Sequence, residues 1–178
     1  MNDCSRAFAS ANYSPAGEAA VVQRLAQALF TVVPLRFATY CAFTARVLTG
    51  TLRRLGVAAE LAPCQLWHAA HPENHVIGFL GRDAHAGRWD GHVVCVTGSI
   101  LVDAAVHNLQ RDFQLDVPHI AIAPRFQTPS QVLARLDLDR DRTLWWHNPP
   151  PGACDRAPEE PMELVNSYVR ELTDRLQA

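Results

Sequence analysis

Three residue types that together can carry out nucleophilic catalysis occur in this sequence in the order Cys41, His92 and Asp103. A thiolate can attack a carbonyl carbon, and an imidazole can take up the thiol proton. A carboxylate fixes the tautomer of that imidazole and stabilises the imidazolium that forms. The elements that carry these three residues must therefore bring their side chains to one place.

His92 and Asp103 lie on a predicted β-hairpin, because two runs rich in β-branched residues are separated by the turn-like segment Thr97-Gly98-Ser99. A two-residue loop at Thr97-Gly98 would place His92 directly opposite Asp103. A loop at Gly98-Ser99 would place them one diagonal step apart. Both loops put the two side chains on one face, whereas a slip of one residue would separate them.

Cys41 is predicted to begin a helix that runs to Leu55. Apolar residues recur there at helical spacing, and Gly56 follows as a natural C-cap. The preceding residues 35–40 are predicted to be non-helical. Unpaired backbone N–H groups and the helix dipole both stabilise a thiolate in the first helical turn. This position therefore favours the reactive form of a cysteine.

The rest of the chain predicts an α+β fold in which helices precede and follow a mostly antiparallel sheet. Helices are expected over 18–33, 129–136 and 161–176, with a turn or short helix over 108–112. Further strands are expected over 57–67, 76–80, 119–123 and 143–147, with a histidine-rich connection over 68–75. Residues 1–15 are interpreted as a mobile lead, residues 148–161 as a Pro-rich linker, and residues 1–178 as one domain.

Composition narrows the possible functions. A formal charge of −2 offers no basic face for nucleic acid, and the absence of lysine excludes Schiff-base chemistry. The sequence shows no signal peptide and no apolar run long enough to cross a bilayer, so we expect a cytoplasmic protein without a membrane partner. No cofactor is predicted, and the oligomeric state is left open.

The five cysteines form no CxxC pair, and their odd number argues against a disulfide framework. Free thiols in a reducing compartment fit this pattern. Cys64 and Cys95 are interpreted as core residues, and the hairpin directs Cys95 away from His92. Cys4 and Cys154 are interpreted as tail residues. Cys41 remains as the candidate nucleophile.

The arrangement of Cys41 at a helix start, Trp89-Asp90-Gly91-His92 before a strand, and Asp103 in the next strand resembles the papain-like cysteine proteinase superfamily. The resemblance is closest to its transglutaminase-like and arylamine N-acetyltransferase-like branch, which includes short bacterial members of unassigned function. It implies a papain-like fold in which Cys41 is the nucleophile, His92 the general base and Asp103 the orienting carboxylate. No glutamine shortly precedes Cys41, so the side-chain donor to the oxyanion is not identified.

Aromatic residues near these positions are candidates for substrate contact. Trp89 precedes the histidine strand and is expected to shield the site from water, and Tyr40 precedes the nucleophile. For the pair Trp145-Trp146 we expect one ring in the core and one on the rim. The expected substrate is a small molecule or a peptide whose acyl group passes to Cys41 and then to water or an amine.

Two other functions remain open. The same cleft in a catalytically silent domain would bind a peptide or a partner. Alternatively, His68, His71, His75 and His85 would hold zinc in a metal-dependent hydrolase, since imidazoles close in sequence can share a metal. Pairing His71 with His75 would require a helix, and Pro72 argues against one. A metal site is therefore not predicted.

Overall fold

The structure, a computed structural model, describes residues 13–80, 89–127, 131–153 and 157–178. The helices are α1 (Pro15–Val32), α2 (Cys41–Arg54), α3 (His107–Phe113) and α4 (Met162–Gln177), with a 3₁₀ turn at Leu35–Phe37. The strands are β1 (Ala59–Ala70), β2 (Glu73–Ile77), β3 (His92–Thr97), β4 (Ile100–Asp103), β5 (Ala121–Pro124), β6 (Val132–Asp137) and β7 (Arg142–His147). The α+β expectation is confirmed.

The strands form one antiparallel sheet in the order β5-β4-β3-β1-β7-β6, with β2 paired to β1. The long strand β1 pairs with β3 along its first half and with both β2 and β7 along its second half. The two ends of the sheet approach each other through a bridge between Arg125 and Ala134. The nearly closed sheet brings side chains of distant strands together on its inner face.

The two faces of the sheet bury different clusters. Helices α1, α2 and α4 cover the outer face, where Leu29, Leu48 and Leu172 are buried with Cys95 and Val102. The inner face is filled by side chains of the strands and α3, among them Trp146 and Leu144. No helix in the described ranges is both long and apolar enough to cross a membrane.

Two sequence predictions about secondary structure are wrong. The helix expected over 129–136 is instead the strand β6, in which Val132, Ala134 and Leu136 recur at every second position and pair with β7. The histidine-rich connection over 68–75 is instead a hairpin, because β1 extends to Ala70 and β2 begins at Glu73. Both errors come from patterns too short to separate a strand from other structures.

The first helix begins three residues earlier than predicted. Pro15 occupies the first helical turn rather than ending a lead, and the Ser14 side chain accepts a hydrogen bond from the Gly17 N–H at 3.2 Å. The mobile lead, predicted to reach residue 15, falls on residues 1–12, which lie outside the described residues, as do Cys4, His85 and Cys154. Residues 148–153 and 157–161 of the Pro-rich segment contain no helix or strand.

Candidate active site

Cys41 is the first residue of α2, as predicted, and its side chain is half-buried. The helix start is fixed by Tyr40, whose N–H donates to the Phe37 carbonyl at 2.9 Å, and by Phe37 stacking on Phe43 at 4.4 Å. The first backbone N–H groups of a helix have no acceptor within the helix. Cys41 therefore stands in the helical turn that carries these donors and the positive end of the helix dipole.

Of the two hairpin registers compatible with the sequence, the structure has the one that places His92 and Asp103 one diagonal step apart. Val96 pairs with Leu101, so the loop is Gly98-Ser99. The loop is held by Glu18 of α1, whose carboxylate accepts hydrogen bonds from the Ser99 N–H at 3.1 Å and the Ser99 hydroxyl at 2.7 Å. The first helix thus pins the turn whose register places the histidine and aspartate on one face.

The imidazole of His92 is joined to the carboxylate of Asp103 by a hydrogen bond of 2.7 Å from Nε2 to Oδ2. Oδ2 also accepts from the Trp146 indole N–H at 2.8 Å, and Oδ1 accepts from the Ala105 N–H at 2.8 Å. His92, Asp103 and Trp146 are at most 1% exposed. Because an ionised carboxylate only accepts hydrogen bonds, this network fixes the proton of the neutral imidazole on Nε2 and leaves Nδ1 as the basic nitrogen.

The other ring nitrogen of His92, Nδ1, is buried and makes no hydrogen bond of normal geometry within the described residues. Burial by itself lowers the pKa of His92. The charge of Asp103 and its hydrogen bond act in the opposite direction, as does the nearby Cys41, and together they raise the pKa to about 10. The imidazole is therefore a strong proton acceptor held by a buried carboxylate.

Cys41 and His92 line one cavity of about 510 Å³. Tyr40 and Trp89, the two predicted substrate-contacting residues, also line it. Trp89 packs closely over Gly91, where an added Cβ would lie 2.3 Å from the indole. Any larger residue at position 91 would therefore displace Trp89 from the cavity wall.

The backbone of Gly78 lies directly against His92. Gly78 has φ +90°, and an added Cβ would lie 2.8 Å from the backbone nitrogen of His92 and 3.1 Å from the backbone carbonyl oxygen of Cys64. Both the conformation and the space thus require glycine. The end of β2 and the start of the histidine strand are packed backbone to backbone at the cavity.

The other described cysteines lie in the core, as predicted. Cys64 and Cys95 are fully buried, and Cys95 belongs to the outer-face cluster, away from His92. Burial raises the pKa of both thiols, that of Cys95 to about 11. Cys41 is thus the most accessible thiol in the described part of the chain.

Trp146 is a site residue that the sequence analysis did not identify. Of the tryptophan pair, Trp146 is fully buried and Trp145 is half-buried, which confirms the expected core and rim positions. The hydrogen bond from Trp146 to Asp103 joins residues 43 positions apart and exists because the sheet nearly closes. No local pattern in the sequence indicates that contact.

The four histidines considered as an alternative zinc site are brought together only in part. His68 and His75 face each other across the β1–β2 hairpin, and His85 lies outside the described residues. Across the ranges that the structure describes, no three His, Cys, Asp or Glu side chains are arranged to hold a metal ion.

No family model, no curated protein and no solved structure matches this chain. The resemblance to the papain-like superfamily therefore depends on the residues themselves. A function for this protein therefore depends on the geometry around Cys41 and His92.

Proposed function

We propose that this protein is a papain-like thiol enzyme that transfers an acyl group through Cys41. The observation that carries the proposal is the buried 2.7 Å hydrogen bond between His92 Nε2 and Asp103, with Cys41 and His92 lining the same cavity. A peptidase, an amidase and an acyltransferase share this chemistry and differ in the acyl donor and acceptor.

In the proposed reaction the Cys41 thiolate attacks a carbonyl carbon, and a carbon–sulfur bond forms. Protonated His92 gives its proton to the leaving group, whose bond to the carbonyl carbon breaks. His92 then takes a proton from water or an amine, which attacks the thioester and releases Cys41. Asp103 keeps the imidazole oriented and stabilises its charged form. Backbone N–H groups at the start of α2 would donate to the oxyanion.

Several structural details support this proposal. Asp103 accepts three hydrogen bonds, so its carboxylate is fixed in orientation. Trp146, which donates one of them, is fully buried and excludes water from the far side of the carboxylate. Cys41 lines the cavity beside Tyr40, which is 57% exposed. A substrate can thus reach the thiol while the charge-stabilising partners stay dry.

A burst experiment with p-nitrophenyl acetate tests the proposal. We expect a rapid release of about one nitrophenolate per chain and an acetyl group on Cys41, detected by mass spectrometry of the peptides. Cys41→Ala should abolish the burst, and His92→Ala should slow it by at least about 100-fold because the base is lost. His119→Ala, which removes an exposed histidine outside the site, is the matched control and should retain the burst.

Alkylation separates the enzyme from a silent binding domain. In the enzyme, iodoacetamide should label Cys41 faster than the buried Cys64 and Cys95, and His92→Ala should slow that labelling. If Cys41 labels at the same rate with and without His92, and no acetyl group forms on it, the thiol-enzyme proposal is wrong and the cavity only binds. Hydrolysis that survives alkylation of Cys41 but is lost to a chelator would instead support the metal-dependent alternative.

A further inference from the structure

A second group of chemistry-bearing side chains lies outside the thiol site, on the β1–β2 hairpin. His68 on β1 and His75 on β2 are directly opposite in the register, and their ring centroids are 5.9 Å apart. Directly opposite residues of an antiparallel pair point to the same face. The hairpin thus brings these two imidazoles together.

The nitrogens of these rings lack partners where partners are expected. His68 is 1% exposed, and neither of its ring nitrogens makes a hydrogen bond of normal geometry to another described residue, although its own backbone contributes to its pKa. Nδ1 of His75 is also buried and unpartnered. Buried polar groups nearly always have a hydrogen-bond partner. Three unpartnered nitrogens on two facing rings therefore indicate a ligand that accepts the lone pairs of both rings.

We propose that His68 and His75 bind a divalent transition-metal ion, of the class of Zn²⁺, Ni²⁺ or Cu²⁺, between strands β1 and β2. Imidazole nitrogens are preferred ligands of these ions, at about 2.0–2.1 Å for zinc. With the ion at that distance from each nitrogen, each ring centroid lies about 3.2 Å from the ion, so two rings on one ion are at most about 6.4 Å apart. The observed 5.9 Å between these centroids is within that limit.

A carboxylate is available beside the pair. Glu73 Oε2 lies 3.8 Å from His75 Nε2, and the Glu73 side chain is largely exposed and free to turn. An ion bound on the Nε2 side of His75 can take Glu73 as a third ligand, with water in the remaining position. Because no cage of three side chains is already formed in the described part of the chain, we expect a site that Glu73 completes when the ion binds.

The charges around His68 are compatible with a bound cation. Burial, the neighbouring His75 and Arg142 lower the pKa of His68, which keeps the ring neutral, and a neutral imidazole is the form that binds a metal. Arg142 is the nearby positive charge, and it is paired with Asp139 at 2.7 Å. The opposing field of that guanidinium is thereby largely offset.

The proposed ion would stiffen the wall of the thiol cavity without entering it. His75 precedes Val76 and Ile77, which line the cavity, and its ring contacts that of Phe113, another lining residue, at 4.6 Å. Binding of an ion would tie β2 to β1 at this point. The metal site is independent of the thiol chemistry, so either proposal can fail alone.

The test uses the purified full chain, stripped with a chelator and then titrated with ZnCl₂ and CoCl₂. We expect about one ion per chain, a rise in the unfolding temperature, and visible cobalt bands of a site with nitrogen and oxygen ligands. Cys41→Ala should keep all three signals. A sulfur-to-cobalt charge-transfer band that Cys41→Ala removes would show that the ion sits at the thiol site instead, and would overturn the proposal.

Variants of the hairpin complete the test. His75→Ala should weaken zinc binding by at least about tenfold, and Glu73→Gln should weaken it less, because a ring ligand is lost in the first and an adaptable carboxylate in the second. His119→Ala is the matched control and should bind as the wild type does. His68→Gln tests the second ring ligand if that variant folds. If it does not fold, His75→Ala decides the outcome. Unchanged zinc binding by His75→Ala, or no stoichiometric binding by the wild type, would refute the site.

Discussion

Two buried histidines on neighbouring strands show how a partner changes a buried imidazole. His92 and His68 are 0% and 1% exposed. His92 donates to Asp103, whereas neither nitrogen of His68 has a partner within the described residues. Burial lowers the pKa of both rings, yet Asp103 and Cys41 raise that of His92 to about 10, and that of His68 stays lowered. Burial alone thus favours a metal-binding or inert imidazole, and a buried carboxylate turns it into a base.

The largest expected effect comes from removing this difference with Asp103→Asn. The amide carries no charge to hold the imidazolium, so the pKa of His92 should fall from about 10 towards or below its ordinary 6.5. Breaking a buried ion pair should cost about 3–5 kcal/mol of unfolding free energy. Urea unfolding at neutral pH measures the change in unfolding free energy, and an NMR titration of the His92 ring measures the change in pKa. An unchanged His92 titration would show that Asp103 does not set its charge.

The two histidines should also give stability opposite dependences on pH. Folding raises the pKa of His92 above 6.5, so its contribution is complete below pH 6.5 and is lost as pH rises through about 10. Folding lowers the pKa of His68, so its contribution is present above pH 6.5 and is lost as pH falls through the lowered value. The unfolding free energy should therefore be highest near pH 6.5.

Urea unfolding between about pH 6.5 and 8.5 isolates the His92 arm, because unfolded thiols titrate mainly above that range. The unfolding free energy of the wild type should fall by about 2 kcal/mol across this pH range, since the folded state holds one more proton than the unfolded state. Asp103→Asn should remove this pH dependence, whereas His119→Ala should keep it. A wild-type profile that rises over this range would have the wrong sign and would contradict the raised pKa.

The same contrast shows which parts of the site the sequence could predict. The hairpin, the helix start at Cys41 and the shared face of His92 and Asp103 follow from local patterns of two to four residues, and the structure confirms them. The turn length was not decided, because Thr97-Gly98 and Gly98-Ser99 are equally good loops. Only the contact of Ser99 with Glu18, far away in sequence, favours one register.

Long-range contacts account for what was missed. Trp146 reaches Asp103 because the sheet nearly closes, and closure depends on β5 meeting β6. The sequence pattern over 129–136 predicts a helix in place of strand β6, so it cannot predict that closure. The facing of His68 and His75 depends on a hairpin turn at 71–72 that the prediction placed inside a connection.

A smaller effect is expected from Trp146→Phe, which removes one donor from the His92 partner and keeps an aromatic ring. The indole N–H donates to a charged oxygen at 2.8 Å, so its loss should cost about 2 kcal/mol of unfolding free energy. Trp145→Phe is the matched control, because that half-buried ring packs under the Arg135 guanidinium, whereas the hydrogen bond to Asp103 comes from Trp146. Equal losses in the two variants would show that ring size, and not the hydrogen bond, matters.

The smallest expected effect comes from the other histidine, with His68→Leu in metal-free protein. Replacing the base partner His92 would leave the charge of Asp103 buried and unpaired, but no group within the described residues depends on the His68 nitrogens. An apolar side chain that replaces an unsatisfied polar one can be neutral or stabilising, and Leu also packs well beside the opposite Leu144.

We therefore expect His68→Leu to change the unfolding free energy by less than about 1.5 kcal/mol in chelator at neutral pH. Below pH 6.5 the unfolding free energy of the variant should also fall less steeply than that of the wild type, because leucine takes up no proton. With zinc added, the wild type should gain stability and the variant should not, because a ligand that binds only the folded state stabilises it. A loss of several kcal/mol without metal would mean that His68 has a structural partner, and the contrast with His92 would then rest on a different hydrogen bond rather than on the absence of one.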